Sequence, residues 1–277
     1  MGLTIMTNEL VLGAQRHLEQ TGQRLNATIQ RLASGSRIVR ASDDPAGLAI
    51  SDQLNAEIRS LGAAGRNAQD GISLIQIYEG GTNEINNMLL RMRELCMQSS
   101  SDTVGDRERQ MLNNEVSQLV EEVTRVARTT KFAGSELLSG KQVNMEFQVG
   151  PNNDPDVDRI RFAPGDSNLT AEAIGVADVE VTQKENAQDS LGAIDEALNR
   201  VNEIRARVGS AQSRLNTTVQ SQLVLQENLL AAKSRIRDTD LAVESANLAK
   251  ETILRQAGVA VLAQANETPR IALSLLK

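Results

Sequence analysis

Val11, Leu18, Leu25 and Leu32 recur at every seventh position near the start of the chain, and such a spacing leaves few folds open. It lays the four side chains along one stripe of a helix, so the pattern predicts a helix from about Asn8 to Ala33 with an apolar face that seeks a second helix. The stripe is narrow. Its companion slots hold Ala14, Thr21 and Thr28, which add little apolar width. A helix of this kind is marginal in water until something covers it.

The far end of the chain offers the matching need. Asp238-Thr239-Asp240 predicts a helix start, because side-chain oxygens there accept from the free N–H groups of a first turn. Beyond it, Ala242, Ala246, Ala249, Ile253, Ala257 and Ala260 form a stripe of mostly small residues, while Leu241, Leu248, Leu254 and Leu262 load neighbouring angles. This helix is apolar over much of its circumference, so it must be surrounded. The rest of the chain has little to surround it with. Among 277 residues there is no Trp, one Tyr and three Phe, whereas compact cores draw much of their buried area from aromatic side chains. The surroundings must come from the N-terminal helix and from further copies. Burying ten aliphatic side chains would yield about 15 to 30 kcal/mol before conformational entropy is charged against it, a gain open to a polymer.

Between the ends the pattern stays helical. Ser34-Gly35-Ser36 closes the first helix, residues 37–42 connect, and Asp43-Asp44-Pro45 restarts the chain as a helix. From Ala46 to about Gln98 the periodicity continues, with interruptions expected at Gly71 and at Gly80-Gly81. Ile85, Met88, Met92 and Leu95 make one 3-4-3 seam, and Leu112, Val116, Leu119, Val123 and Val126 make another after the break SSSDTVGD, so the two are expected to zip antiparallel. Val143 to Ala163 alternates around the turn-rich GPNNDPD and predicts a β-hairpin. Gly165 to about Val181 reads as irregular with short strands. Ile204, Val208, Ala211, Leu215, Leu225, Leu229, Ala232 and Ile236 then fit one helical seam, with polar Thr218 and Gln222 in the intervening slots. The fold class is mainly α: an elongated antiparallel helical rod or coiled coil with a small β-hairpin, plus terminal helices that pair.

Nothing in this pattern carries catalysis. His17 is the single histidine and has no cysteine or second histidine beside it to share a metal. Nucleotide-binding, zinc-protease and serine-hydrolase motifs are absent from the sequence. Cys96 lies in the apolar pattern RMRELCMQ and reads as a small core side chain. Asp154, Asp156 and Asp158 lack the central Gly and distal Glu of a calcium loop and read as a solvated turn. No catalytic residue, cofactor or metal site is expected. The net charge of -7 and the lack of a basic run argue against nucleic acid, and no apolar window is long enough to span a membrane. The opening MGLTIMTNELVLGAQRHLEQ lacks the regions of a cleavable signal peptide.

The run LNATIQRLASGSRIVRASDDPAGLAISDQL resembles the stretch of bacterial flagellins in which L-x-S-G-x-R-I precedes D-D-x-A-G-L-A-I. Here these are Leu32, Ser34, Gly35, Arg37 and Ile38, then Asp43, Asp44, Ala46, Gly47, Leu48, Ala49 and Ile50. NAQDGISLIQ (67–76), RMRELCMQ (91–98), TTKFAGSELLSG (129–140) and the ending ETPRIALSLLK are similar to that family as well, so the resemblance covers about residues 1–140 and 187–277. Cys96 and Pro45 depart from the family pattern without disrupting it. The resemblance implies an extracellular filament subunit, exported unfolded through the flagellar type III apparatus without a cleavable signal. It further implies assembly with itself or sister flagellins, and dealings with an export chaperone, the filament cap and the hook-junction proteins.

By the same resemblance, residues 1–42 and 238–277 form the filament core and 43–237 a surrounding helical domain with its hairpin near 143–163. Larger family members insert outer domains that this chain lacks. Arg91, Glu94, Leu95 and Glu115 match positions through which a vertebrate Toll-like receptor senses family members, although the same residues would face neighbouring subunits in a filament. Leu273, Leu275 and Leu276 resemble terminal leucines implicated in assembly and in cytosolic sensing. Two rivals remain open at this level: a hook-filament junction protein, which shares the S-G-x-R-I and D-D-P features, and a soluble coiled-coil adaptor.

Overall fold

A computed structural model of the chain describes residues 9–141, 144–162 and 168–274, with side chains described to Glu267 at the C-terminal end. Val143, Ala163, Leu275 and Leu276 lie outside the described residues, as does the side chain of Leu273. Among the described residues, six helices and four short strands follow in chain order. They are α1 (Glu9–Ser34), α2 (Pro45–Ser99), α3 (Asp106–Thr129), β1 (Lys131–Phe132), β2 (Ser135–Glu136), β3 (Met145–Gln148), β4 (Arg159–Phe162), α4 (Ala171–Ile174), α5 (Lys184–Arg237) and α6 (Leu241–Ser274).

The helix ends are set by local chemistry. Gly35, just past α1, sits in the left-handed region at φ 66°, where a residue without Cβ is free of strain. Asp43 Oδ2 accepts from the backbone N–H groups of Arg40 and Val39 at 3.0 and 3.1 Å, folding the connector on itself. Those two bonds, the one from Arg40 first, hold the Asp43 carboxyl below its ordinary range. Asp44 Oδ1 accepts from Gly47 N at 2.9 Å, which caps α2 behind Pro45 at its first position. At the other end of the chain, Asp240 Oδ1 accepts from the N–H groups of Ala242 and Val243 at 2.9 and 3.2 Å and starts α6.

Two expectations fail here. Helix α2 runs unbroken for 55 residues, straight through Gly71 and Gly80-Gly81. Gly71 and Gly81 serve close packing instead of ending the helix: a Cβ on Gly71 would stand 3.0 Å from the Phe147 ring, and one on Gly81 would stand 2.6 Å from Thr130 Oγ1 and 2.7 Å from Leu138 Cδ1. The segment after Gly165 shows no strand among its described residues. It holds the single helical turn α4, ended by Gly175 at φ 80°, with Leu169, Val176 and Val181 buried around it.

The chain divides into two compact units, residues 57–227 and residues 1–56 with 228–277. In the first, the two expected seams meet. Ile85, Met92, Leu95, Val116 and Val123 are fully buried, with Met88, Leu112, Leu119 and Val126 packed against them. From α5, Ile204, Val208, Ala211 and Leu215 join the same core, and Gln222 keeps its slot as a buried amide. Antiparallel β3 and β4 pair Met145 with Phe162 through Gln148 with Arg159. The hairpin is anchored through β3, where Asn67 Nδ2 donates to Gln148 O at 3.1 Å and Gln222 Nε2 donates to Val149 O. Tyr78 meets Phe162 edge-on, with ring centroids 5.4 Å apart. Asp158 is buried in the hairpin turn, where its carboxylate accepts from Asp154 N at 3.0 Å. The small β1–β2 ribbon was not anticipated. Its two-residue turn, Ala133-Gly134, has φ of 48° and 84°, the geometry that normally recruits Asn-Gly.

Candidate assembly interface

The second unit carries the two terminal helices, and they pair with each other. The order of contacts fixes them as antiparallel. Ser36 bridges Asp238, Arg31 NH1 lies 3.7 Å from Glu244 Oε1, and Leu18 Cδ1 lies 3.3 Å from where a Cβ on Gly258 would stand. Three backbone-directed bonds lock the junction: Arg37 N to Arg237 O at 2.6 Å, Thr239 N to Gly35 O at 3.0 Å, and Arg37 NH2 to Ile236 O at 2.7 Å. Nearby, Arg237 pairs with Asp52 at 3.3 Å and Lys233 Nζ donates to Asn55 Oδ1 at 3.0 Å.

On α1 the covered face is the heptad stripe together with its weak companions. Leu25 and Thr28 are buried, and Val11, Ala14, Leu18, Thr21 and Leu32 are half-buried. On α6 the covered face differs from the small-residue stripe. Glu244 and Glu251 are buried, and Leu248, Gly258, Leu262 and Ala265 are half-buried, at 4-3 spacing. All six small-stripe residues, Ala242, Ala246, Ala249, Ile253, Ala257 and Ala260, are exposed, as are Leu241 and Leu254. Ile253 is 64% exposed and Leu241 61%, with Val243, Val259 and Val261 also open to solvent. Paired terminal helices therefore still leave many apolar side chains of α6 open to solvent, more than a covered helix would show.

Glu244, Glu251 and Gly258 are the seam residues that pattern reasoning missed. Their signal was present in the phase Glu244, Leu248, Glu251, Gly258, Leu262, but a rule that points apolar residues inward discards a phase with two glutamates in it.

The receptor-like residues lie in the other unit. Arg91 Nε donates to Glu115 Oε1 at 2.8 Å and its NH1 to Glu94 Oε2 at 3.1 Å, an exposed cluster joining α2 to α3. These bonds, that to Glu115 first, raise the Arg91 guanidinium above its ordinary value. Leu95 faces the other way and is buried in the core, so the structure brings three of the four together. Beside them Arg93 Nε donates to Asp195 Oδ1 at 2.7 Å, which ties α2 to α5 and lowers the Asp195 carboxyl.

His17 lines an open groove of about 390 Å³ between α1 and α6, with Leu18, Arg24, Leu254 and Gly258 among its neighbours. Among the described residues, no group of three or more histidine, cysteine or acidic side chains is placed to hold a metal, and no helix is long and apolar enough to cross a membrane. Burial pushes the Cys96 thiol up to about 11, which suits a packing residue.

Long packed helices, small β-ribbons and a terminal helix pair with an uncovered apolar face define a structural protein of the self-associating kind. The bacterial flagellin N-terminal helical region matches residues 5–143, and the flagellin C-terminal helical region matches residues 191–276. The chain belongs to the bacterial flagellin family and is a structural subunit of the flagellar filament.

It is 41% identical to a flagellin of Halalkalibacterium halodurans over 99% of this chain and 100% of that one. It is 39% identical to a flagellar filament 33 kDa core protein of Treponema phagedenis and 36% identical to a flagellin of Bacillus subtilis, with the same shares covered. Among solved structures, Bacillus cereus flagellin is similar at 25% identity and a TM-score of 0.50, covering 57% of this chain and 88% of that one. A flagellar hook-associated protein of Vibrio parahaemolyticus, described as putative, shares the fold at 14% identity and a TM-score of 0.58, over 71% of this chain and all of that one.

Proposed function

We propose that the α1·α6 pair is the element through which copies of this chain polymerise, with the face of α6 that carries Ala242, Ala246, Ala249, Ile253, Ala257 and Ala260 receiving neighbouring copies. The observation that carries this is the exposure of that whole face when α1 is already seated on the opposite side of α6. Small side chains let helices approach closely, and Ile253 with Leu241 and Leu254 supplies the apolar area to be removed from water. Val11, Leu18, Leu25 and Leu32 act one step earlier, by holding α1 to α6. Leu248 and Leu262 serve that same inner seam. Leu273, Leu275 and Leu276, in the leucine-rich sequence at the C-terminal end, belong to the same proposal.

In this reading residues 1–42 and 238–277 build the filament core and 43–237 the layer around it. A flagellar export chaperone, the filament cap and the hook-junction proteins are its transient partners in this reading. Arg91, Glu94 and Glu115 offer an exposed charged cluster to a neighbouring subunit, and the same cluster is what a vertebrate Toll-like receptor would meet on a free chain.

Seeded polymerisation tests the central step. Leu25→Asp, which places a charge in the buried stripe, is expected to abolish extension of filament seeds while residues 57–227 keep their fold. Normal extension by that variant would contradict the proposal.

A further inference from the structure

Glu251 is 8% exposed, yet its Oε2 has no hydrogen-bond partner. Seven residues earlier on the same face of α6, Glu244 is 7% exposed and has two neighbours: Asn247 Nδ2 donates to its Oε2 at 3.3 Å, and Arg31 of α1 stands 3.7 Å from its Oε1, an ion pair without a hydrogen bond. The antiparallel register that sets Arg31 beside Glu244 places Arg24, seven residues before Arg31, level with Glu251. The two acids and the two arginines thus share one heptad spacing. Only one of the two rungs is made, because Arg24 forms no ion pair among the described residues and lines the open groove with His17 and Leu254.

We propose that Arg24 and Glu251 are a second, register-setting ion pair of the α1·α6 seam, one that closes when another copy covers the groove. This rests on the assembly role proposed above for α1·α6. An arginine in water gains little from a carboxylate nearby, so in the isolated chain Arg24 stays solvated. Once a neighbouring copy dries the groove, Arg24 loses its water, and the buried Glu251 carboxylate is the acceptor within its heptad. A buried charge left without a partner is costly, which turns the pair into a test of register. Sliding α6 by one heptad would bring Glu251 to Arg31 but strand Glu244 at the level of buried Ile38. The opposite slip offers Glu251 only His17. The register found here is the one in which both acids meet an arginine.

A charge-swap cycle on the full chain, read as the rate of seed extension, tests this. Glu251→Arg and Arg24→Glu are each expected to slow extension by about tenfold or more, and the double variant to recover to within about threefold of the original rate. A purely structural role for either position predicts no recovery. Glu251→Gln, which keeps the shape, guards against loss of fold and should slow extension by about threefold. Single variants that extend normally, or a double variant no better than the worse single one, would overturn the pair. Leu25→Asp run alongside separates the two levels: if it blocks extension while the swap fails, the ion pair alone is wrong, and if it too extends normally, the assembly reading has fallen.

Discussion

Leu18 and Gly258 meet across the terminal helix pair so closely that a Cβ on Gly258 would stand 3.3 Å from Leu18 Cδ1. Gly258 is thus where α6 makes room for the heptad stripe of α1. Gly258→Val adds two more carbons at a point with little slack and should push the helices apart, costing the pair about 1–3 kcal/mol. The expected outcome is a raised critical concentration for polymerisation with unchanged thermal unfolding of residues 57–227. Equal critical concentrations would show that the approach is not tight in solution.

Ala249 lies on the opposite side of α6 and is exposed. Ala249→Leu should therefore leave the isolated chain within about 0.5 kcal/mol of its original stability, as surface substitutions do. In the filament the larger side chain meets a close-packed neighbour, and seed extension should slow by about tenfold or more. Filaments growing at the original rate would remove the small-residue stripe from the interface.

Gly80 and Gly81 are neighbours in α2 with opposite surroundings. A Cβ on Gly80 meets nothing within 4 Å, whereas one on Gly81 runs into Thr130 and Leu138. Gly80→Ala should stabilise the 57–227 unit by about 0.5–1 kcal/mol, because alanine restricts the unfolded chain and favours helix. Gly81→Ala should destabilise it by about 1–3 kcal/mol through overpacking. Denaturant midpoints with unchanged slopes would measure both, and a shared sign would refute the packing assignment.

Cys96 carries a pH dependence with a definite sign. Unfolded, its thiol ionises near the ordinary 9.0, and burial pushes it to about 11 in the folded chain. Its contribution to stability is therefore complete below pH 9.0 and declines as pH rises toward 11. Cys96→Ala should flatten that alkaline slope in urea titrations. A thiol reagent at pH 8 should label the native protein only as fast as the unit opens.

Much of this architecture was legible in the sequence because long helices write their packing as a period. The stripe Val11, Leu18, Leu25, Leu32 and the seams from Ile85 to Leu95 and Leu112 to Val126 are where the spacing put them. Phase was not legible on α6. A helix that is apolar on several sides offers the period several solutions, and the side taken by α1 includes Glu244 and Glu251, which a hydrophobicity rule points outward. The continuity of α2 was hidden for a different reason. Whether a glycine ends a helix or admits a neighbour depends on Phe147, Thr130 and Leu138, which lie far along the chain. The β1–β2 ribbon escaped because Ala133 occupies a left-handed position without the asparagine that usually announces it.

In the assembly proposed above, α1 and α6 are completed only by other copies of the chain. Hydrogen exchange of residues 9–34 and 241–274, measured in the monomer and again in the filament, tests it most directly. Fast exchange is expected in the monomer, with slowing by about a hundredfold or more on polymerisation, confined to those segments and absent from the buried seams of residues 57–227. Equal protection of α1 and α6 in monomer and filament would contradict it.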